Sequence, residues 1–193
     1  MPEEKRPEQP GRGLYEWAQA LVCSVLAAVV VFAFGARVVG VSGGSMRETL
    51  QNGDLLLVVN GFLCGDYERG DVVIAAKAAF ENGEPIVKRV IATEGQTIDI
   101  DFDQGVVYVD GEALEEPYIR EATHLAEGTE FPLTVPEGCV FLMGDNRNGS
   151  RDSREPTLGP VDTRCLIGRA VFLLLPGKTE GLELREWDRI GTL

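Results

Sequence analysis

A serine in a glycine-rich turn is the first residue whose surroundings suit catalysis. Ser45 follows Gly43 and Gly44, and glycines let a backbone approach a ligand closely and adopt angles that other residues resist. A serine in such a turn is accessible, and its own N–H can point at a developing oxyanion. The same turn is typical of a flexible hinge, so an accessible nucleophile is one of two interpretations of this segment.

Lys88 is the candidate base for that serine, because a serine hydroxyl is a weak nucleophile on its own. Strand alternation places Ile86 and Val90 on the same face as Lys88. Contact with apolar surface disfavours the charged ammonium, so the lysine pKa falls from about 10.4 toward neutrality and the amine can accept a proton. An edge lysine whose stem covers apolar surface while its head reaches water would show the same pattern.

The segment 144–154 carries the densest set of polar side chains among the candidate segments, directly after the apolar run Val140–Met143. Alternating acids and arginines with hydroxyls between them suit a hydrogen-bonded network that fixes other side chains. A solvated surface loop has a similar composition, and both interpretations stay open on these residues alone. The candidate supporting residues are Asp145, Arg147, Ser150, Asp152 and Arg154.

Composition excludes several other chemistries. The sequence has one histidine, His124, and its polar surroundings in 121–128 indicate a surface or loop residue. Zinc sites built on several histidines are excluded, and the four cysteines lack CxxC spacing, so we expect no metal ion and no organic cofactor. The formal net charge of −13 argues against a nucleic-acid partner, which needs a basic face. Nothing in the sequence indicates an oligomer.

An uncharged apolar run near the N-terminus predicts one membrane anchor. No residue from Ala18 to Ala36 is charged, and this run would span roughly 28 Å as a helix, close to the ~30 Å hydrocarbon core of a bilayer. Trp17 suits one interface, and Arg37 can reach outward at the other. A cleaved signal peptide is the alternative, although its apolar region is usually shorter, about 7–15 residues. The predicted divisions are a tail at 1–16, a transmembrane anchor at 17–37 and a domain at 38–193.

Beyond Arg37 the sequence predicts a mostly β domain. Short β-branched runs alternate with turn signals such as Asn52-Gly53 and Asp110-Gly111, which is typical of many short strands. No second run is long enough to cross a bilayer, so we expect the whole domain on one side. The predicted strands are Leu55–Val59, Val72–Ala76, Ile86–Ile91, Val106–Val109, Val140–Met143 and Ala170–Leu175.

Taken together, these segments resemble the type I signal peptidases, membrane-anchored Ser/Lys proteases that remove signal peptides from exported proteins. The family's nucleophile box S-M-x-P-T-L is matched by residues 45–50 in four of five fixed positions. Residues 69–73 match R-G-D-[IV]-V, and residues 88–91 match the first four positions of K-R-V-[IV]-G. Residues 144–154 match every fixed position of G-D-N-R-x-x-S-x-D-S-R.

The resemblance implies a fold and a role for each candidate residue. The fold would be a single N-terminal transmembrane helix followed by an antiparallel β-sheet catalytic domain. Ser45 would attack the scissile carbonyl and form an acyl-enzyme, with its own backbone N–H as the oxyanion donor. Lys88 would take the serine proton and later activate water, and Ser150 would hydrogen-bond and orient the lysine. The residues that would hold the shape of the site are Asp145, Arg147, Asp152 and Arg154.

The resemblance also implies the substrate and its location. The partners would be the signal peptides of exported preproteins and the lipid bilayer, with cleavage after small residues. Met46, beside the nucleophile, would contact the substrate or the membrane surface. The chain would be a single-pass protein of the cell membrane with a cytoplasmic tail and an extracytoplasmic catalytic domain, and the Lys/Arg count of the tail leans the same way.

Three positions differ from the family pattern or from some of its members. Glu48 stands where the family has Pro, which bears on the rigidity of the turn. Ala92 stands where the family has Gly, and Ala would tolerate a positive φ poorly there. Gly43 stands where some members carry a serine as a second oxyanion donor. Two other functions compete: a catalytically silent membrane-anchored β module, and a soluble Ser/Lys autoprotease of the repressor-cleaving kind.

Overall fold

The structure is a computed structural model that describes residues 12–30, 35–178 and 184–193. The described residues fall into two compact units, one that ends at Ala36 and one that begins at Arg37. In the described part of the first unit there is one helix, and the second unit contains the β-sheets and the predicted catalytic residues.

The helix α1 covers Arg12–Val30, so it begins before the predicted anchor boundary at residue 17. Its segment Gly13–Val30 has a mean hydropathy of 1.5, and none of it is buried against protein. Within the described residues it is the one helix long and apolar enough to cross a membrane, and an exposed apolar helix suits a lipid environment. Residues 1–11 of the predicted tail and 31–34 of the predicted anchor lie outside the described residues.

Twelve strands follow in the described part of the chain. They are β1 (Ala36–Gly40), β2 (Leu55–Asn60), β3 (Val72–Ala75), β4 (Ile86–Thr93), β5 (Thr97–Asp101), β6 (Val106–Val109), β7 (Glu112–Ala113), β8 (Leu133–Thr134), β9 (Cys139–Met143), β10 (Val161–Asp162), β11 (Leu166–Leu175) and β12 (Gly191–Thr192). Short 3₁₀ turns lie at Gly61–Leu63, Glu81–Gly83, Arg147–Gly149, Thr163–Cys165 and Trp187–Arg189.

The strands form two sheets. The larger sheet has eight strands in the order β1-β2-β11-β3-β4-β9-β10, with β12 paired to β11. The smaller sheet has four strands in the order β7-β6-β5-β8. Every pairing whose register is described is antiparallel, which confirms the predicted mostly β fold.

Side-chain alternation explains why these residues form sheets. In β2, Leu56 and Val58 are buried while the residues beside them are partly exposed. In β5, Ile98 and Ile100 are buried on either side of the exposed Asp99. The six predicted strands overlap β2, β3, β4, β6, β9 and β11, whereas β1, β5 and the two-residue strands β7, β8 and β10 were not predicted.

A hydrophobic cluster lies beneath the segment that joins β1 to β2. Val41, Met46 and Leu50 from this segment are buried in it together with Leu56 and Val58 of β2. Because the segment buries its own apolar side chains in the sheet core, the turn around Ser45 has a fixed position relative to β2.

Candidate active site

The segment between β1 and β2 forms the turn that carries Ser45. Gly43 adopts a φ of +89° there, a left-handed conformation that favours glycine, and its N–H donates to Asn52 Oδ1 at 3.0 Å. After the serine, Met46 and Leu50 are buried at 1% and 0% exposure. Ser45 therefore lies between a hydrogen-bonded glycine on one side and two core side chains on the other.

Strand β4 brings Lys88 to this turn. Lys88 is paired with Val73 of β3, its residue is 3% exposed, and its Nζ donates to Ser45 Oγ at 2.8 Å. A heavy-atom separation of about 2.6–3.2 Å suits proton transfer between a nucleophile and its base. The structure thus brings together the two residues that the sequence predicts as nucleophile and base, 43 positions apart.

The environment of Lys88 favours a neutral amine. Burial lowers the pKa of Lys88 from its ordinary value to about 8, and the positive charge of Arg154 acts in the same direction. The carboxylates of Asp152, Glu127 and Glu81 oppose this shift. Since burial outweighs the acids, the direction of the pKa shift is the one that the apolar strand face of Lys88 predicts.

A buried ion pair between Arg89 and Asp145 connects β4 to the turn that carries Ser45. Arg89, the residue after Lys88, donates to Asp145 from Nε at 2.8 Å and from Nη2 at 2.6 Å. Thr49 Oγ1 donates to the same carboxylate at 2.5 Å, and the Tyr118 ring covers the guanidinium at 4.1 Å. Asp145 therefore links β4 to the turn that carries Ser45, and its predicted supporting role stays a prediction.

Asn146 contacts the nucleophile turn directly. Its backbone N–H donates to Ser45 O at 3.0 Å, and its side-chain Nδ2 donates to Gly44 O at 3.0 Å. Asn146, Arg89 and Thr49 are not among the site residues predicted from the sequence. All three lie at fixed positions of the family boxes, and that was the one signal available, because a contact with a distant backbone carbonyl leaves no mark on composition or spacing.

Asp152 is the centre of a second group of hydrogen bonds. Its carboxylate accepts from Arg154 Nε and Nη2, both at 2.8 Å, from Gly144 N at 2.9 Å and from Ser150 Oγ at 3.0 Å. Among the described residues, the hydrogen bond of Lys88 Nζ is to Ser45, so the predicted bond between Ser150 and Lys88 is not formed in this structure. The orienting role of Ser150 stays a prediction.

Gly144 occupies a position where no side chain fits. A Cβ added there would lie 2.2 Å from Ser150 Oγ and 2.5 Å from Ser45 O. The absence of a side chain at Gly144 lets the segment 144–154 approach the nucleophile turn closely.

Arg147 forms several hydrogen bonds inside the protein, next to the segment that contains Gly144. It is 0% exposed and donates to both carboxylate oxygens of Glu116, at 2.7 and 2.5 Å, to Thr123 Oγ1 at 3.0 Å and to Gly144 O at 3.2 Å. Glu116 and Thr123 belong to no family box, and nothing in the sequence pointed to them.

The backbone N–H of Ser45 and the residues Met46 and Ala92 are the next predicted positions to compare with the structure. Within the described residues, no group accepts a hydrogen bond from Ser45 N, so this N–H is available to an oxyanion. Met46 is 1% exposed, so its predicted contact with substrate stays a prediction for a side chain that this structure buries. Ala92 lies in the extended strand β4 without a positive φ, so alanine is compatible with its backbone.

Glu48 and His124 are both exposed. Glu48 Oε1 lies 3.9 Å from Arg120 Nε, so the residue that replaces the family Pro faces a cation rather than the core. His124 Nδ1 lies 2.9 Å from Phe102 O. Among the described residues, no group of three or more His, Cys, Asp or Glu side chains could hold a metal ion.

Comparison with known proteins identifies the family. The family described as "Signal peptidase, peptidase S26" matches residues 14–175. The chain belongs to the signal peptidase family S26. It is 35% identical over 184 residues to signal peptidase I of Bacillus licheniformis, covering 91% of this chain and 96% of the relative. It is 34% identical over 187 residues to signal peptidase I T of Bacillus subtilis (strain 168), covering 90% of this chain and 91% of the relative.

A solved structure is also similar. The crystal structure of a signal peptidase I from Enterococcus faecalis V583 aligns with 28% identity and a TM-score of 0.44, covering 55% of this chain and 97% of that chain. As a member of the signal peptidase family, the protein is a serine peptidase that removes signal peptides from exported proteins. Family membership favours neither the silent β module nor the soluble autoprotease.

Proposed function

We propose that Ser45 is the nucleophile and Lys88 the general base of this signal peptidase. The observation that carries the proposal is the 2.8 Å hydrogen bond between Lys88 Nζ and Ser45 Oγ. Two further facts support it: the lysine pKa is lowered to about 8 by burial, and Ser45 N has no acceptor among the described residues.

Acylation needs Lys88 in its neutral form. Lys88 Nζ takes the proton of Ser45 Oγ as the oxygen attacks the scissile carbonyl. The carbonyl oxygen becomes an oxyanion, and the N–H of Ser45 donates to it. The intermediate collapses to an ester between Ser45 and the signal peptide, while the Lys88 ammonium gives its proton to the leaving amine of the mature protein.

Deacylation uses the same base. Neutral Lys88 takes a proton from a water molecule, and the resulting hydroxide attacks the ester carbonyl. The second tetrahedral intermediate releases Ser45 Oγ, which recovers a proton from Lys88, and the signal peptide leaves with a new carboxylate. The carboxylates of Asp145 and Asp152 stay paired with arginines throughout and hold the reacting groups in position.

The substrate preference that we propose is based on apolar side chains that pack on the cluster beneath the turn. Val39 of β1 and Val87 of β4 are partly buried and pack on the hydrophobic cluster beneath the turn. An extended peptide paired with a strand edge here would meet a shallow apolar surface, which suits small side chains before the scissile bond. We infer that cleavage follows small residues.

Replacement of either reactive side chain tests the proposal. Ser45→Ala and Lys88→Ala should each abolish cleavage of an exported precursor, measured by gel shift, in full-length protein that keeps its circular dichroism spectrum. His124→Ala should cleave at the wild-type rate, because His124 is exposed and outside the site. Cleavage by a folded Ser45→Ala or Lys88→Ala protein, or a large loss in His124→Ala, would contradict the assigned pair.

The sidedness of the protein is part of the same proposal. The exposed apolar helix α1 would anchor the chain in the cell membrane, with the tail 1–16 cytoplasmic and the catalytic domain extracytoplasmic, where signal peptides emerge. A protease added to the outer face of the membrane should digest a C-terminal tag and spare an N-terminal one. The reverse digestion pattern would refute this orientation.

A further inference from the structure

Asn146 makes hydrogen bonds to both carbonyl groups that flank the α-carbon of Ser45. Its side-chain Nδ2 donates to Gly44 O at 3.0 Å, and its backbone N–H donates to Ser45 O at 3.0 Å. The first carbonyl belongs to the peptide unit before the serine, and the second belongs to the peptide unit after it. Since the orientations of these two planar units define the φ and ψ angles of Ser45, one residue holds the serine backbone on both sides.

The first of these peptide units also contains the N–H that we propose as the oxyanion donor. The peptide bond between Gly44 and Ser45 is trans, and in a planar trans peptide the C=O and the N–H point in opposite directions. The hydrogen bond to Gly44 O therefore fixes the direction in which the Ser45 N–H points. It also polarises the peptide unit, which makes this N–H a stronger donor.

The glycines before Ser45 explain why this peptide unit needs an anchor. Gly43 and Gly44 have no side chains to restrict their backbone, and Gly43 has a φ of +89°. Gly44 O accepts one other hydrogen bond, from Arg47 N, at the longer distance of 3.3 Å. Gly43 also has no hydroxyl that could serve as a second oxyanion donor, so the direction of the Ser45 N–H has a larger influence on the site.

The amide of Asn146 is itself held in place by Gly149. Asn146 precedes the 3₁₀ turn Arg147–Gly149 without a side-chain bond to it, and its carbonyl accepts from Gly149 N at 2.9 Å. A Cβ added to Gly149 would lie 2.6 Å from Asn146 Nδ2, and its three nearest atoms all belong to the Asn146 side chain. The amide therefore packs against the Gly149 backbone while it donates to Gly44 O.

We propose that Asn146 is a positioning residue that directs the N–H of Ser45 toward the oxyanion of the tetrahedral intermediates. The inference rests on the proposed function of Ser45. Asn146 acts through the Gly44–Ser45 peptide unit. A donor that is aimed before the reaction needs no reorganisation when charge develops on the carbonyl oxygen, so the contribution of Asn146 belongs to the transition state rather than to substrate binding.

A matched pair of asparagine variants tests the proposal. Asn146→Ala removes one side-chain hydrogen bond, whereas Asn148→Ala, in the adjoining 3₁₀ turn, removes three, to Ala122 O and from His124 N and Leu125 N. We expect Asn146→Ala to lower kcat for a precursor peptide about 10- to 100-fold with little change in KM, less than the roughly 10²- to 10³-fold cost of losing an oxyanion donor. Asn148→Ala should keep the wild-type kcat, although it loses more hydrogen bonds.

A second variant displaces the amide without removing it. Gly149→Ala places a methyl group against Asn146 Nδ2 and should lower kcat about tenfold, because small displacements near reacting groups have large effects on rate. In the Asn146→Ala background the methyl group meets no amide, so the double variant should have the kcat of Asn146→Ala alone. A full second loss in the double variant would mean that Gly149→Ala disturbs the turn itself, and the Asn146→Ala result would then decide the proposal.

A peptide aldehyde distinguishes the aiming of the oxyanion donor from a general loosening of the site. Ser45 Oγ adds to the aldehyde carbon, its proton passes to Lys88, and an electron pair of the C=O bond moves to the oxygen, which then occupies the oxyanion position. The corresponding peptide alcohol has no carbonyl and cannot form this adduct. Asn146→Ala should weaken inhibition by the aldehyde by the factor found for kcat and leave inhibition by the alcohol unchanged.

The outcomes separate this inference from the proposed function. Wild-type kcat in a folded Asn146→Ala protein, or equal losses of aldehyde and alcohol affinity, would overturn the positioning role. A larger loss of kcat in Asn148→Ala than in Asn146→Ala would overturn it as well, because activity would then follow the number of hydrogen bonds lost.

Two further variants keep the test valid if Asn146→Ala does not fold. Asn146→Asp and Asn148→Asp both keep the side-chain shape and replace the donor Nδ2 with a carboxylate oxygen, so the same difference in kcat is expected between them, and equal kcat values would overturn the role. A wild type that cleaves no precursor, or binds the aldehyde no more tightly than the alcohol, would instead contradict the assignment of Ser45 and remove the basis of this role.

Discussion

The segment 144–154 contains arginines in two very different environments. Arg147 and Arg154 are 0% exposed, and each donates to a carboxylate through two nitrogens. Arg151, between them in sequence, has a side chain that is 58% exposed and pairs with Glu81 and Glu155 at the surface. The difference shows that the arginines of this segment have two kinds of environment: buried ion pairs that fix the positions of side chains inside the protein, and exposed ion pairs that lie in solvent.

Removing one partner of a buried pair should have the largest effect. Asp152→Ala would leave the Arg154 guanidinium buried without its carboxylate, which costs about 3–5 kcal/mol in free energy of unfolding. Arg164→Gln removes the 88% exposed partner of Asp162 and leaves the Asp162 carboxylate in place, so it should leave that free energy nearly unchanged. Urea unfolding of the full-length proteins in detergent, followed by circular dichroism, measures both. Similar losses in the two variants would remove the distinction between buried and exposed pairs.

A methyl group at Gly144 tests how closely the buried network positions the nucleophile. Gly144→Ala would push Ser150 and the Ser45 carbonyl apart, and a displacement near 1 Å costs roughly 10²-fold in rate. We expect kcat/KM for a precursor peptide to fall by about that factor. Gly191→Ala is the control, because a Cβ at Gly191 meets nothing within 4 Å. A fully active Gly144→Ala protein would mean that the turn tolerates movement.

The smallest expected effect is on the pH dependence of kcat/KM. Lys88 must be neutral and its pKa is about 8, so kcat/KM should rise with pH, reach half its plateau near pH 8 and flatten well below the ~10.4 of a free lysine. A rate that climbs steadily to about pH 10 would identify an ordinary solvated lysine.

Glu127 provides a way to move that midpoint. Burial raises the pKa of Glu127 to about 7, and its carboxylate in turn raises the pKa of Lys88. Glu127→Gln removes this negative charge, so the midpoint should shift to lower pH. The exposed Glu130 supplies the control: Glu130→Gln should leave the midpoint in place. An unchanged profile in Glu127→Gln would show that this acid does not influence the base.

The sequence predicted the parts of the fold that depend on continuous apolar runs. β2, β3 and β9 are such runs, and their turns contain glycine at the expected places. β5 was missed because its sequence TIDID contains only two apolar residues, and both are needed to form one buried face. α1 begins at Arg12, before the predicted boundary at residue 17, and Glu16 near its start is exposed, so this charged residue stays solvated and does not oppose the helix.

Only those residues of the site whose side chains have a recognisable chemical role could be predicted from the sequence. The proposed nucleophile and base, Ser45 and Lys88, have side chains that can react, so their types and neighbours suggested these roles before any family was considered. Asn146 contacts the turn through hydrogen bonds to the carbonyls of Gly44 and Ser45. Gly144 allows a close approach because it has no side chain. Neither property is encoded by local composition, and both depend on how distant segments pack.

Lys88 and Arg89 are adjacent in β4, so the register of this strand decides which of the two side chains faces Ser45. The two residues point to opposite faces of β4, and β3 and β9 fix the strand from both sides through the pairs Val73–Lys88 and Met143–Arg89. A slip of one residue would exchange the faces and present to the serine a guanidinium, which stays protonated at any physiological pH. For the proposed Ser45–Lys88 pair, a misaligned β4 would therefore leave the serine without a base, and we expect hydrolytic activity only from a correctly paired sheet.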